Sequence, residues 1–179
     1  MIHADHINLI KDGIREPGGV WADFGSGAGA FTLALAELIG TYGEIYSIDK
    51  DKHALGRQQR AVEERFPIAI RPTLHYLHAD FTKPLDLPPL DGAIIANALH
   101  FQVETTIVTK QLRTYLQPGG YFIIVEYNIK RSNPWVPHPV PFENWKTIAK
   151  RSGFTQTQLI ATRSSRTFRE IYAAVSFNP

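Results

Sequence analysis

The sequence predicts an α/β three-layer sandwich built on a mostly parallel, seven-stranded sheet that ends in an antiparallel hairpin. Three observations lead there. Short apolar runs alternate along the chain with amphipathic stretches of helical period, the pattern of strands joined by crossover helices. The first run, residues 20–24, opens into a glycine-rich turn, Gly25-Ser26-Gly27-Ala28-Gly29, which starts a helix. The last two runs, 154–162 and 168–177, are joined by the short turn Arg163-Ser164-Ser165-Arg166. A link this short cannot carry a parallel crossover, so these two strands pair antiparallel.

Taken in order, residues 4–16 form an N-terminal helix ended by Pro17-Gly18-Gly19. Val20-Trp21-Ala22-Asp23-Phe24 is a buried strand, and the helix after the glycine turn sets Phe31, Leu35, Leu38 and Ile39 on one face before Gly40 stops it. Residues 44–49 read as strand two. A helix over 51–65 turns Leu55, Ala61 and Val62 inward, and 73–78 is strand three, followed by a loop marked by Pro84, Pro88 and Pro89. Residues 92–97 form a continuous apolar strand, buried on both faces as parallel strands are. A helix over 104–117 points Ile107, Val108, Leu112, Tyr115 and Leu116 inward and stops at Pro118-Gly119-Gly120, and 121–126 is strand five. Four prolines in 128–141 mark an irregular loop suited to binding, and a helix over 142–152 leads into the hairpin.

Composition narrows the function classes. With 179 residues, 44% of them hydrophobic and 20% charged, the chain suits one globular domain over 1–179. It has no cysteine, which excludes disulfides and thiolate metal sites. No apolar run approaches the roughly 20 residues that span a bilayer, and the opening MIHADHINLIKDGI lacks a basic segment followed by an apolar one. The expectation is a cytoplasmic protein without a membrane partner. The net charge of +2 is unevenly spread: Lys130, Arg131, Lys146, Lys150, Arg151, Arg163, Arg166 and Arg169 face only Glu143 and Glu170 within 130–170. Such a block either attracts an anionic ligand or nucleic acid or serves as a solvated face.

The glycine turn places free N–H groups of a helix start where a ligand backbone can approach closely. Alone it also fits the dinucleotide fingerprint of a dehydrogenase, and Asp49, at the end of strand two, suits ribose hydroxyls in either case. Three features favour a positively charged nucleoside cofactor over a pyrophosphate. Asp23, two residues before Gly25, brings negative charge to the turn; Asp80-Phe81 offers a carboxylate and a ring to an adenine; and a hairpin follows strand five where a nicotinamide enzyme continues with a parallel strand and a substrate domain. Asp51 competes with Asp49 for the task of capping the next helix, and Phe81 also suits the core.

Asp23-Phe24-Gly25-Ser26-Gly27-Ala28-Gly29 resembles the first motif of the class I S-adenosylmethionine-dependent methyltransferases, whose order of elements, a Rossmann-like one, matches nearly the whole chain. The resemblance implies S-adenosyl-L-methionine as cofactor and S-adenosyl-L-homocysteine as product. It places Gly25, Gly27 and Gly29 along the methionine end, Asp49 on the ribose, Asp80 and Phe81 on the adenine, and Asn97 at the tip of strand four, with Asp23, Ser26 and Lys50 also counted to the cofactor site. Asn97-Ala98-Leu99-His100 is similar to the strand-four ending of small-molecule methyltransferases and lacks the Asn-Pro-Pro-aromatic run of many base and glutamine methylators.

A small-molecule acceptor is therefore expected, with Trp135, Phe101, Tyr127 and the N-terminal segment as candidate pocket walls. Methylation of RNA or another nucleic acid is the alternative. A non-catalytic cofactor- or partner-binding module and a nicotinamide-dependent oxidoreductase stand further off. The reaction is an in-line displacement that needs a base only if the nucleophile keeps its proton until late. His100 and Glu126, at the C-terminal ends of strands, are the candidates for such a base, although a packing or surface role explains His100 better and a structural hydrogen bond explains Glu126 as well. His75 and His78, three apart on a strand, point to opposite faces, and His3 with His6 lacks a third ligand nearby, so no metal is expected.

Overall fold

The structure, a computed structural model, describes residues 1–165 and 169–179. Among these, seven strands make one sheet: β1 Gly19–Phe24, β2 Gly43–Asp49, β3 Thr73–His78, β4 Leu90–Ala96, β5 Leu116–Tyr127, β6 Thr155–Ser165 and β7 Arg169–Phe177. Their order is β3-β2-β1-β4-β5-β7-β6. The first five run parallel, and β7 pairs antiparallel with both β5 and β6. Five α-helices accompany them: α1 His3–Ile10, α2 Ala30–Ile39, α3 Lys52–Arg65, α4 Thr105–Arg113 and α5 Phe142–Arg151.

The period of two along the strands divides the core into two layers. Trp21, Ile45, Ile94 and Ile123 pack with Leu9 of α1, Phe31 and Leu35 of α2 and Val62 of α3. Their neighbours Ala22, Ala93, Phe122 and Ile124 turn the other way, onto Val108 and Leu112 of α4 and Trp145 and Ala149 of α5. Fully burying each large side chain of this kind stabilises the fold by about 1.5–3 kcal/mol. Because β1 has β2 on one side and β4 on the other, the connections from its two sides leave in opposite directions. This opens a crevice at the carboxyl ends of the central strands.

Several elements differ from the sequence expectation, each for a local reason. The N-terminal helix ends at Ile10 and tightens into a 3-10 turn over Lys11–Gly13. Gly13 lies against the sheet, where an added Cβ would come within 2.8 Å of Ile123 Cδ1. Helix α4 ends at Arg113 rather than 117, and Ile107 is 61% exposed instead of inward. The inward stripe is Val108, Thr109 and Leu112, and Ile107 falls off it by one residue, about 100° around the helix.

Pro118-Gly119-Gly120, expected as a stop, lies inside β5. Asn178 holds it there: Gly119 N–H donates to the Asn178 carbonyl (2.8 Å), and Asn178 N–H donates to the Gly120 carbonyl (2.9 Å). Residues 163–165, expected as turn, continue β6, while Arg166 and the expected strand start at 168 lie outside the described residues.

Candidate active site

The chain leaves β1 through the glycine turn with φ of 73° at Gly25, 55° at Gly27 and 89° at Gly29, the left-handed region that favours glycine. The N–H groups of Gly25 and Ser26 donate to the Ile48 carbonyl at the end of β2 (2.8 and 3.0 Å), fixing the turn to the neighbouring strand. Two of the glycines serve different ends. A Cβ on Gly29 would lie 2.4 Å from Gln58 Cγ, so this glycine lets α3 pack close, whereas a Cβ on Gly27 would meet nothing within 4 Å. Gly27 faces open space.

Asp49 braces the turn. Its Oδ2 accepts from Gly27 N–H (2.7 Å) and its Oδ1 from Asp51 N–H (2.8 Å). Capping of α3 falls to Asp51, whose Oδ1 accepts from His53 and Ala54 N–H. Behind the turn sits a buried polar network that the sequence reading missed. Ser47 Oγ donates to Ser26 Oγ (2.7 Å), and Gln58, fully buried, donates through Nε2 to Ser47 Oγ (2.8 Å). The available signal was a glutamine on the inward stripe of α3, between Ala54, Leu55 and Val62.

A cleft of about 310 Å³ opens between the turn, the end of β4 and the N-terminal segment. Asp23, Gly25, Ser26, Gly27 and Asn97 line it, joined by Met1, His6 and Phe31. Asp23 is 1% exposed and accepts from Thr32 Oγ1 (2.5 Å). Burial, aided by the Asp49 charge and opposed by the Thr32 bond, pushes its carboxyl up to about 7. Asn97 adopts a left-handed φ of 51°, uncommon outside glycine, as β4 ends; its Oδ1 is buried with no hydrogen-bond partner among the described residues. An orphaned buried acceptor of this kind is costly unless a ligand donates to it. His6 was weighed in the sequence only as a metal ligand. Its ring meets Phe31 edge-on at 4.9 Å, and burial holds its basicity below the ordinary histidine value.

The remaining candidates lie beyond this cleft. Gly29 caps α2. Lys50 is exposed, and its carbonyl bonds His78 Nε2 (3.0 Å). Asp80 is exposed and uses Oδ1 to accept from both the N–H (2.9 Å) and the hydroxyl (2.7 Å) of Thr82; these bonds hold its carboxyl below the usual range. Phe81 is 9% exposed and packs 6.5 Å from the Phe24 ring, where it also backs Gly25. A larger cavity, about 440 Å³, lies between α3 and the edge strand β3 and contains none of the candidate residues.

At the ends of β4 and β5, His100 and Glu126 are 2% and 1% exposed. Glu126 Oε2 lies 2.6 Å from His100 Nδ1, and Oε1 accepts from the His100 backbone N–H (3.2 Å). Among the other histidines, His3 pairs with Glu37 (2.9 Å) and His75 with Glu44 (2.8 Å).

A glycine turn after β1, an acid buried inside it and an acid ending β2 define a nucleoside-cofactor protein of the class I methyltransferase type. Comparison with known proteins agrees. A methyltransferase-domain family model matches residues 16–169, and the chain belongs to that family. No curated protein sequence matches it.

Solved structures share its fold. A SAM-dependent methyltransferase from Aquifex aeolicus aligns at TM-score 0.75 and 17% identity, covering 98% of this chain and 90% of that one. Magnesium protoporphyrin IX methyltransferase (ChlM) from Synechocystis PCC 6803, with bound SAM, aligns at 0.70 and 18%, covering 98% and 77%. A Haemonchus contortus phosphoethanolamine N-methyltransferase 2, in complex with phosphomonomethylethanolamine and S-adenosylhomocysteine, aligns at 0.75 and 13%, covering 98% and 52%.

Proposed function

We propose that this chain binds S-adenosylmethionine in the cleft at the end of β1 and transfers its methyl group to a small molecule. The observation that carries this is a pair of hydrogen-bond acceptors on residues that line that cleft, the buried Asp23 carboxylate and the unpartnered Asn97 Oδ1. They suit a ligand that brings positive charge and N–H donors, and would repel a pyrophosphate.

The residues present fit such a donor. Gly27 leaves room at the turn, with Gly25, Ser26 and Gly29 shaping the methionine end. Asp49 spends one bond on each carboxylate oxygen, and each oxygen keeps a lone pair for a ribose hydroxyl. Both Thr82 bonds fall on Asp80 Oδ1, leaving Oδ2 for an adenine amino group, with Phe81 behind it and Lys50 near. The donor supplies a methyl already activated by cationic sulfur. What the chain adds is alignment of acceptor and donor, which can supply about 7–11 kcal/mol of a barrier.

A small acceptor fits the fold better than nucleic acid. Within the 130–170 block, Lys146 pairs with Glu143 on α5 (2.6 Å), while Arg163 pairs with Asp5 of α1, in the opposite layer. These two cations therefore do not share one face along a phosphate backbone. The test is S-adenosylhomocysteine release, followed by mass spectrometry, with a pool of small metabolites and with RNA. Release that depends on the small-molecule pool and is lost in Gly27→Val is expected. Release that only RNA stimulates, and that falls steeply with salt, contradicts the small-acceptor reading.

A further inference from the structure

Neither His100 nor Glu126 lines the donor cleft, yet the fold buries both, one in the turn after β4 and one at the end of the adjacent strand β5. Burying two ionisable groups is unfavourable unless both are fully hydrogen-bonded, and apolar residues of equal size would pack there at no such cost. Here both carboxylate oxygens are spent on one histidine: Oε2 faces Nδ1 at 2.6 Å, and Oε1 takes the backbone N–H at 3.2 Å. That double hold fixes the ring and makes Nε2 the nitrogen that Glu126 does not engage.

The chain links the pair to the cleft through one short turn. Ala96 and Asn97 line the donor cleft, and the left-handed turn at Asn97 leads within one 3-10 turn, Leu99–Phe101, to His100. The His100 carbonyl accepts from His138 N–H (3.0 Å), which ties the turn to the proline-rich loop. Phe101, more than half exposed, lies 4.3 Å from the imidazole and walls it from outside, while Tyr127 flanks it at 6.2 Å. The titratable groups around the carboxylate are Tyr127 and Tyr172. Burial and the Glu126 charge raise both phenols, so neither competes for the proton, and Tyr172 is occupied with the Val140 carbonyl (2.8 Å).

We infer that His100 and Glu126 form a proton-accepting dyad, and that the methyl acceptor is a nucleophile that keeps its proton until transfer: a hydroxyl or a phenol rather than a ready-made anion. This rests on the donor assignment above. The acceptor's lone pair forms the bond to the methyl carbon, and the electrons of the breaking carbon–sulfur bond stay on sulfur as a neutral thioether. The proton leaves the acceptor for His100 Nε2. Glu126 holds Nδ1–H and balances the imidazolium, which returns its proton to solvent after product departs.

The experiment uses the full chain with phenol and benzoate as probe acceptors, S-adenosylhomocysteine release as the readout, and calorimetry of S-adenosylmethionine in parallel. In His100→Gln and Glu126→Gln, donor affinity stays near the wild-type value. Absence of donor binding in the wild type would instead overturn the donor assignment. Methylation of phenol drops by about 100-fold or more in His100→Gln, a typical loss for a general base. The deficit narrows towards about pH 10, where a phenol ionises unaided.

Benzoate turnover that exceeds that of phenol, or phenol turnover that is absent or unchanged in His100→Gln across the pH range, overturns the inference. Should the variants fail to fold, ring ¹⁵N shifts of the wild type decide. The neutral ring is expected to carry its proton on Nδ1, and a proton on Nε2 contradicts the dyad.

Discussion

The two halves of the cleft are built from different materials. At the end of β1 and β2 the ligand-facing surface is mostly backbone: glycines in left-handed conformations, N–H groups tied to Ile48 and Asp49, and open space over Gly27. Beyond β4 and at the end of β5 stand side chains: Asn97, with its orphaned oxygen, on the cleft wall, and the His100–Glu126 pair buried three residues further on. Backbone surfaces demand glycine at fixed spacing, so they are written locally in the chain. Side-chain pairs such as His100 and Glu126, 26 residues apart, exist only once the strands align. A donor common to many reactions suits the first kind of surface, and an acceptor particular to one reaction suits the second.

Substitutions that strike one half and spare the other sharpen this contrast. The largest effect is expected from Gly27→Val. Its side chain would enter the open space and strain a φ of 55°, so donor affinity falls by about 100-fold or more, read by calorimetry.

Next is the pH response of Asp23. Its folded carboxyl titrates near 7 against an ordinary 3.8, so its contribution to stability is full below about pH 4 and is lost as pH rises towards 7. Asp23→Asn should remove that fall and make the free protein more stable at pH 8, by as much as a few kcal/mol in denaturant titrations. The same substitution should weaken binding of the cationic donor, whose wild-type affinity rises as pH passes 7. Wild-type stability that is flat between pH 4 and 7 would contradict the buried acid.

Gln58→Ala leaves Ser47 and Ser26 short of a partner behind the turn, costing about 1–3 kcal/mol of stability. Asp80→Ala is expected to do least. An exposed carboxylate already bonded to Thr82 should change donor affinity by less than about tenfold, 1.4 kcal/mol.

Much of the frame was legible in the sequence because periodicity and glycine carry it. Strand three over 73–78 coincides with β3, and the glycine turn, the proline-rich loop and the closing hairpin stand where the pattern put them. The misses are tertiary. Pro118-Gly119-Gly120 signals a stop locally but is held in β5 by Asn178, about 60 residues on. Ile107 has the right residue type but the wrong angle around α4. Gln58 and His6 look like surface residues until the glycine turn and Phe31 close over them. The pairing of His100 with Glu126 had no signal in spacing at all, only two polar residues at strand ends.

The central claim is that the cleft at the end of β1 is matched to a positively charged nucleoside. Side-by-side calorimetric titration of the purified chain with S-adenosylmethionine, S-adenosylhomocysteine and NAD tests it most directly. Saturable binding of the first two and none of NAD is the predicted result; preference for NAD would contradict it.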